Sequence, residues 1–437
     1  MRSQRPKVLQ PLGGRPLLQH VVEAVKKLGE VSVHSVVGHR SEEVSSALGD
    51  SCHYVQQPQQ CGTADAVARA LPALAADSKV LILYGDVPLI QPDTLQAMVD
   101  TVDSGSMAVL TTTVANPRGY GRMVRDKGGA VAAIIEEKDA SEAERAISEI
   151  NTGIMCVPQQ LLAQWLPQIG NDNAQQEYYL TDIVALAVAQ SVVIHTPQPQ
   201  WQYEVLGVND RAQLATVERH YQRRCAERVM QQGATLADPA RIDIRGELGV
   251  GRDVFIDVNT VFSGRVQLGD GVQIGPNCVI GDSEIAAGSE ILANSVIEGA
   301  VLAERCQVGP FARLRPGATL AAGAKVGNYV EVKNSHLGAG SKANHLSYLG
   351  DAEIGAGSNI GAGTITCNYD GANKYKTQLG EGVFIGSNST LVAPLEIGDG
   401  GFVGAGSTIT QTVPCDNLAV GRGRQKNLSG WRRPKKK

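Results

Sequence analysis

Two rhythms of apolar and polar positions divide this chain. Up to about residue 209, short apolar runs alternate with stretches whose apolar residues fall three and four apart. Val31 to Val37 reads as a strand, and Val80 to Tyr84 (V-L-I-L-Y) as a fully buried one. Leu17 to Leu28 reads as a helix on the spacing of Leu17, Leu18, Val21, Val22 and Val25. Gly62-Thr63-Ala64-Asp65 opens an alanine-rich helix that reaches about Leu74. Strand, helix, strand in this order predicts a parallel sheet with crossover helices. Asp210 to Gln232 is polar except for Leu214, Val217, Tyr221, Cys225 and Val229. That spacing gives one helix with a narrow apolar stripe, a connector between domains.

After Ala240 the helical rhythm stops, and apolar residues recur at every sixth position, often followed by glycine. The first register is Val250, Ile256, Phe262, Leu268, Ile274 and Ile280; the second is Val308, Leu314, Leu320, Val326 and Val332. The third is Leu379, Ile385, Leu391, Ile397, Val403 and Ile409. A period of six cannot keep one helix face buried and exceeds the period of two of a simple strand. It fits a β-solenoid whose flat sides each take six residues and turn one aliphatic inward. A sandwich of short strands is the alternative, but its strands would not hold a fixed spacing. One polar insert, Cys367 to Lys376 (C-N-Y-D-G-A-N-K-Y-K), breaks the repeat, and such insertions loop out on one face and often bind. From Arg422 to Lys437 the chain is a basic tail.

Length and composition narrow the class. The 437 residues suffice for two to three domains. We divide them into a first domain at 1–209, a linker helix at 210–232, a solenoid at 233–421 and the tail at 422–437. With 43% hydrophobic residues, wholesale disorder is excluded. Only 4% aromatics beside 49 glycines suits thin, regular layers with frequent turns. A net charge of −4 gives no global field for nucleic acid. The eight cysteines are scattered without a C-x-x-C pair, which argues against a disulfide framework or zinc site and fits a cytoplasmic protein. No apolar run approaches the roughly 20 residues of a membrane span, and the basic start has no apolar segment of a secretion signal behind it.

Candidate chemistry lies in both halves. Tyr84-Gly85-Asp86 ends a buried strand, where open α/β sheets bind ligands, and Asp86 is placed either to hold a hard cation such as Mg²⁺ or to cap the next helix. Lys7, Gln57, Gly62-Thr63, Gly119 to Arg122, Glu136, Glu149 to Gly153 and Gly207-Val208-Asn209 are further polar clusters, with Asn209 also a good cap for the connector helix. In the solenoid, His345 stands near the insert, with Arg315, Lys333, Tyr348, Asn359, Asn368 and Tyr369 in nearby coils. This set suits an anionic sugar and a base titrating near neutrality; a structural hydrogen-bonding role for the histidine is the alternative.

These segments together resemble the bacterial family of bifunctional UDP-N-acetylglucosamine pyrophosphorylase/glucosamine-1-phosphate N-acetyltransferases, over essentially the whole chain. The specific stretches are Leu83 to Leu89 (L-Y-G-D-V-P-L), Asn173 to Asp182 (N-A-Q-Q-E-Y-Y-L-T-D), Gly309 to Gly317 (G-P-F-A-R-L-R-P-G), Gly361 to Lys374 (G-A-G-T-I-T-C-N-Y-D-G-A-N-K) and Gly430 to Pro434 (G-W-R-R-P). The resemblance implies a Rossmann-like α/β nucleotidyltransferase domain followed by a left-handed parallel β-helix of hexapeptide repeats that forms a homotrimer. It implies acetyl transfer from acetyl-CoA to glucosamine 1-phosphate, then uridylyl transfer from UTP to N-acetylglucosamine 1-phosphate with release of pyrophosphate. The products feed peptidoglycan and, where present, lipopolysaccharide.

Carried over by position, Asp86 and Asn209 match Mg²⁺ ligands and Lys7 the lysine that meets the phosphates. Gln57, Gly62 and Thr63 match uridine contacts, Tyr84 and Gly85 belong to the same nucleotide site, and Gly121, Glu136 and Asn151 match sugar contacts. His345 matches the general base, Arg315 and Lys333 the grip on the sugar phosphate, and Tyr348 and Asn359 sugar contacts. Ala362, Asn368, Tyr369, Ser387, Ala405 and Arg422 match acetyl-CoA contacts.

There are two departures. The family opens with a strand and a glycine-rich loop around the nucleotide phosphates, and Met1 matches the last residue of that loop; acetyl transfer is expected to persist and uridylyl transfer to be severely reduced. Gln176 stands where the family has glycine. Two other readings are an acetyltransferase whose first domain is a scaffold, and a sugar nucleotidyltransferase with a purely structural solenoid. His345, the insert and Arg422 argue against the latter, since a structural solenoid needs none of them.

Overall fold

The computed structural model describes residues 1–38, 40–434 and 436; Lys435 and Lys437 of the basic tail lie outside the described residues. Two compact units divide between Tyr221 and Gln222, inside the helix Arg211–Gln231. Asp210 starts that helix, its Oδ1 accepting from the Gln213 amide at 2.8 Å, and Gly233 at φ +114° ends it.

In the first unit the central sheet runs in the order Val193–His195, Ser106–Thr113, Glu149–Pro158, Gly121–Arg125, Val131–Ile135, with Lys79–Ile82 also on Glu149–Pro158. Alternate residues feed opposite faces, as the strand period of two requires. Met107, Val109, Met155 and Val157 pack against Trp165, Ile183 and Val184, whereas Ala108, Leu110, Ile154 and Cys156 pack against Leu95 and Met98. The unit is therefore a layered Rossmann-like α/β fold.

Three expectations need correction. The sheet is mixed: only Ser106–Thr113 with Val193–His195 is parallel in it, because the ten-residue strand Glu149–Pro158 runs against three neighbours. The strand expected at Val80 to Tyr84 is Lys79–Ile82, and it is half-buried, since among the described residues it pairs along one edge alone. The strand expected from Val31 begins at His34 and pairs in parallel with His53–Gln56 in a separate small sheet. The two helices fall near expectation, at Leu17–Lys26 and Thr63–Ala70.

The second unit is the hexapeptide β-helix. Coils stack in parallel register 17 or 18 residues apart, as in Val261 on Val279 and Val279 on Val296. An eleven-stranded sheet forms one face, and a sheet of 16 strands folds over the other two through the long strands Ile242–Val250, Thr260–Leu268 and Val279–Ile285. The six-residue registers point inward as expected, from Ile256 at 1% exposed to Val403 at 0%, with Val250 only half-buried at the start. Each hexad also turns a second residue inward two positions earlier, small in Ala312 before Leu314, Ala318 before Leu320 and Ala324 before Val326, and as large as its partner in Val330 before Val332 and Leu395 before Ile397. The short strands keep their own period of two inside the period of six. Burying each larger aliphatic stabilises by about 1.5–3 kcal/mol. The insert lengthens one coil, so that Ala352 pairs with Thr377 and Asn359 with Phe384. No helix among the described residues is long and apolar enough to cross a membrane.

Candidate functional site

In the first unit, backbone pairing brings together three residues distant in sequence. The Val208 amide donates to the Asp86 carbonyl at 3.0 Å, which sets Asn209 beside Asp86. Lys7 Nζ lies between them, ion-paired with the Asp86 carboxylate and donating to Asn209 Oδ1 at 3.0 Å. The capping alternatives fall away: Asp210 caps the connector helix, and the helix Pro92–Thr101 starts from Gln91. Two oxygens already aimed at one cationic group are a hard donor set that fits Mg²⁺, which takes one or two protein oxygens together with substrate phosphates.

The remaining first-unit residues continue from this point. Gly85 packs under Leu18 and Val8, where a Cβ would come within 3.0 Å of Leu18 Cδ1. Tyr84 lies across the Gly153 backbone, which holds φ +82° and leaves no room for a Cβ. Burial, then Glu136 and Asp86, push the Tyr84 phenol up to about 12. The Glu136 carboxyl is also raised, chiefly by burial and against a hydrogen bond from Thr181 Oγ1 at 3.3 Å. Gly121 leaves its carboxylate space, and Asn151 is buried with its Oδ1 on the Gly153 amide at 2.9 Å. Thr63 Oγ1 accepts from the Leu180 amide at 3.0 Å, the Gly62 backbone passes against Tyr178, and Gln57 Nε2 donates to the Gly62 carbonyl at 3.1 Å. Hydrogen bonds thus tie the Gln57 to Thr63 cluster to Thr181 and Glu136, and electrostatic neighbours tie Glu136 through Tyr84 to Asp86. Tyr120, raised by burial and then by Asp86, and Thr181 belong to the same site; both lie in stretches that sequence reasoning flagged without assigning them a role.

In the second unit the site follows one corner of the solenoid. Backbone hydrogen bonds stack Leu346 on Asn328, Gly363 on Leu346, Asn388 on Ala362 and Gly406 on Ser387. His345, Ala362, Ser387 and Ala405 therefore occupy one column, and Arg422 continues it by donating Nη1 to the Ala405 carbonyl at 2.8 Å. At about 4.8 Å per coil, the four steps from 345 to 422 span about 19 Å. His345 is exposed, with Nδ1 2.6 Å from Asn328 Oδ1 on the coil below.

Beside the corner, Arg315 pairs with Glu331 at 2.9 Å, and the Tyr348 ring lies over Gly350. Lys374 of the insert stands next to Lys333 and lowers its pKa, a crowding of cations that suits a phosphate. The Asp351 carboxyl is raised by burial, but the amides of Asn334 and Asn368 and the charges of Lys333 and Lys374 outweigh this and hold it low. Asn368 is thus buried at the base of the insert with its side chain on Asp351, whereas Tyr369 is 60% exposed. Asn359 is half-buried on the face of Lys342. Lys374 and Asn328 were not singled out from sequence; the spacing of 17 between Asn328 and His345 is the signal that places them one above the other.

Fold and site together define a two-unit transferase, a nucleotidyltransferase joined to a hexapeptide-repeat acyltransferase. The MobA-like NTP transferase domain model matches residues 1–234, and the bacterial transferase hexapeptide model (six repeats) matches 249–282 and 376–411. The chain is 56% identical over 437 residues to the bifunctional protein GlmU of Marinobacter nauticus, covering 100% of this chain and 96% of that one. It is 59% identical to the proteins of the same description from Stutzerimonas stutzeri (100% and 97% covered) and Azotobacter vinelandii (100% and 96%). The chain belongs to the GlmU family, and it is an enzyme with both transferase activities of that family.

Proposed function

We propose that the corner column is where acetyl-CoA lies, with its thioester at His345 and its phosphates at Arg422. The observation that carries this is the span of about 19 Å between those residues, matching an extended pantetheine arm, along a track of small side chains. Glucosamine 1-phosphate sits on the adjoining face, its phosphate gripped by Arg315 and Lys333 with Lys374 beside them. Tyr348 and Asn359 contact the sugar, and Tyr369 flanks the donor. The amine nitrogen attacks the thioester carbon, His345 takes the amine proton, and as the C–S bond breaks His345 returns that proton to the sulfur, so that CoA leaves as the thiol.

In the first unit the phosphate oxygen of N-acetylglucosamine 1-phosphate attacks the α-phosphorus of UTP, and the bond to the β-phosphate oxygen breaks to release pyrophosphate. Asp86 and Asn209 would hold Mg²⁺, whose charge, when bound, screens the triphosphate. Lys7 passes to the phosphates, Gln57, Gly62 and Thr63 hold the uridine, and Gly121, Glu136 and Asn151 hold the sugar. The enzyme works in the cytoplasm as a homotrimer built through its β-helices. Supporting this are the stacked Phe311 and Tyr329, 47% and 57% exposed, and the stacked Phe384 and Phe402, 39% and 43% exposed, aromatic area that association would cover.

The test is both assays on one purified sample, with thiol release for acetyl transfer and pyrophosphate release for uridylyl transfer. His345→Ala is expected to slow acetyl transfer by about 10²- to 10⁴-fold and to leave uridylyl transfer unchanged. An unchanged acetyl-transfer rate returns His345 to a structural role; absence of pyrophosphate release from the wild type confines the chain to acetyl transfer.

A further inference from the structure

The nitrogen of His345 that takes the amine proton must carry a lone pair and face the substrate. Its other nitrogen, Nδ1, lies 2.6 Å from Asn328 Oδ1. A side-chain amide oxygen only accepts, so this contact requires the proton on Nδ1 and leaves the lone pair on Nε2. A histidine free in water prefers the opposite tautomer. We propose that Asn328 is a positioning residue for the acetyl-transfer reaction, selecting the tautomer and ring orientation in which His345 Nε2 is the base. This rests on the reading of His345 as the base.

Two features of the coils build the contact. Asn328 and His345 are direct register partners in adjacent parallel strands, so their side chains leave the same face one above the other. The Leu346 amide donates to the Asn328 carbonyl at 3.0 Å, clamping both residues at the corner. Gly327 allows the approach, since a Cβ there would fall 1.9 Å from the Asn344 carbonyl oxygen and force the coils apart. A neutral acceptor also has a consequence that a carboxylate would not. It fixes the tautomer without adding a negative charge that would favour the imidazolium and tie up the lone pair.

The experiment has two arms. In the first, ¹⁵N spectra of the wild-type protein are recorded with His345 assigned by comparison with His345→Ala. The neutral ring is expected to show its proton on Nδ1; a proton on Nε2 overturns the proposal without any variant having to fold. In the second, Asn328→Leu keeps the volume and removes the acceptor, and Asn328→Asp keeps the acceptor. Asn328→Leu is expected to lower kcat for acetyl transfer by about 10- to 100-fold with both KM values nearly unchanged, and to move the neutral-ring proton to Nε2. Asn328→Asp is expected to keep the proton on Nδ1 of the neutral ring but, because its charge favours the imidazolium, to need a higher pH than the wild type to reach most of the rate. An unchanged kcat in a folded Asn328→Leu overturns the proposal. If instead His345→Ala keeps full acetyl transfer, the base reading itself falls, and the wild-type spectrum still decides whether Asn328 sets the tautomer.

Discussion

Truncating Arg422 tests the donor track at the end farthest from the chemistry. Its guanidinium is exposed and, among the described residues, is held against the corner by Nη1 donating to the Ala405 carbonyl at 2.8 Å. Hydrogen bonds to charged groups contribute about 1.5–3 kcal/mol. At an exposed site solvent screening reduces that to about 1–2 kcal/mol, or about 5- to 30-fold in affinity. The expected effect of Arg422→Ala is therefore a rise of that size in the KM for acetyl-CoA. Four coils separate this residue from His345, so kcat is expected to stay within about twofold. The control is the donor: acetyl-pantetheine keeps the thioester and the arm but lacks the nucleotide phosphates. Wild type and variant are expected to use it equally well, and added salt is expected to narrow their difference on acetyl-CoA. The assay is initial-rate thiol release with each donor. An equal loss on acetyl-pantetheine, or a fall in kcat at constant KM, would show that Arg422 does not meet phosphate at the end of the column.

Burial raises the Glu136 carboxyl in the folded state, so folding favours its protonated form. That stability is full below the unfolded value of about 4.3 and is lost as pH rises through the elevated folded value. Glu136→Gln is accordingly expected to raise the urea midpoint of the first unit near neutral pH and flatten its pH dependence, while weakening uridylyl transfer; an unaltered profile refutes the sign. Lys7→Ala removes the ammonium that pairs with Asp86 and Asn209, so Mn²⁺ titrated without nucleotide is expected to bind about 10-fold more tightly, whereas equal affinity means that Lys7 does not compete for the cation oxygens. Leu391→Ala in a fully buried hexad position is expected to cost the solenoid about 2–5 kcal/mol by denaturant unfolding, and a loss under about 0.5 kcal/mol would contradict its place in the core.

The solenoid was legible because each coil repeats the same local problem. A large aliphatic at every sixth position fills the interior, and a residue such as Ile274 or Leu314 meets the same surroundings in every coil. The second inward position has no constant hydropathy, being Ala312, Ala318 and Ala324 in some coils and Val272, Val330 and Leu395 in others, so it gives no regular signal of its own. The α/β unit was less readable. An apolar run such as Val80 to Tyr84 looks the same whether a strand is flanked on both sides or on one, and nothing in its composition gives the direction of its neighbour. Site residues in the first unit were found as clusters, but their convergence depends on the Val208 to Asp86 backbone bond, a pairing across the chain that no local pattern encodes. Asn328 illustrates the opposite case. Its partner lies one coil away, and the spacing of 17 residues is sufficient to place it once the repeat is known.

The corner beside the donor track shows how the repeat is altered where it acts. At each corner of a coil one position adopts the left-handed conformation, as Phe311, Gly317 and Gly323 do in one coil, and small residues or glycine suit it. From the third coil below the insert upward the occupants are Phe311 (φ +55°), Tyr329 (φ +54°) and Leu346 (φ +47°), bulky and largely exposed. Beyond His345 they become Gly363 (φ +76°), Asn388 (φ +55°) and Gly406 (φ +72°). A bulky residue in this conformation costs roughly 1–2 kcal/mol, so the first three are not selected for the stability of the isolated coil. The change from large to small falls between Leu346 and Gly363, at the coil step where His345 gives way to Ala362. Above His345 this position carries glycine or asparagine; below it the large side chains of Phe311, Tyr329 and Leu346 stand in the same place. The donor site proposed above would thus be bounded by the large side chains at the His345 end and by Arg422 at the other, which is the arrangement that one substrate reaching from His345 to Arg422 requires.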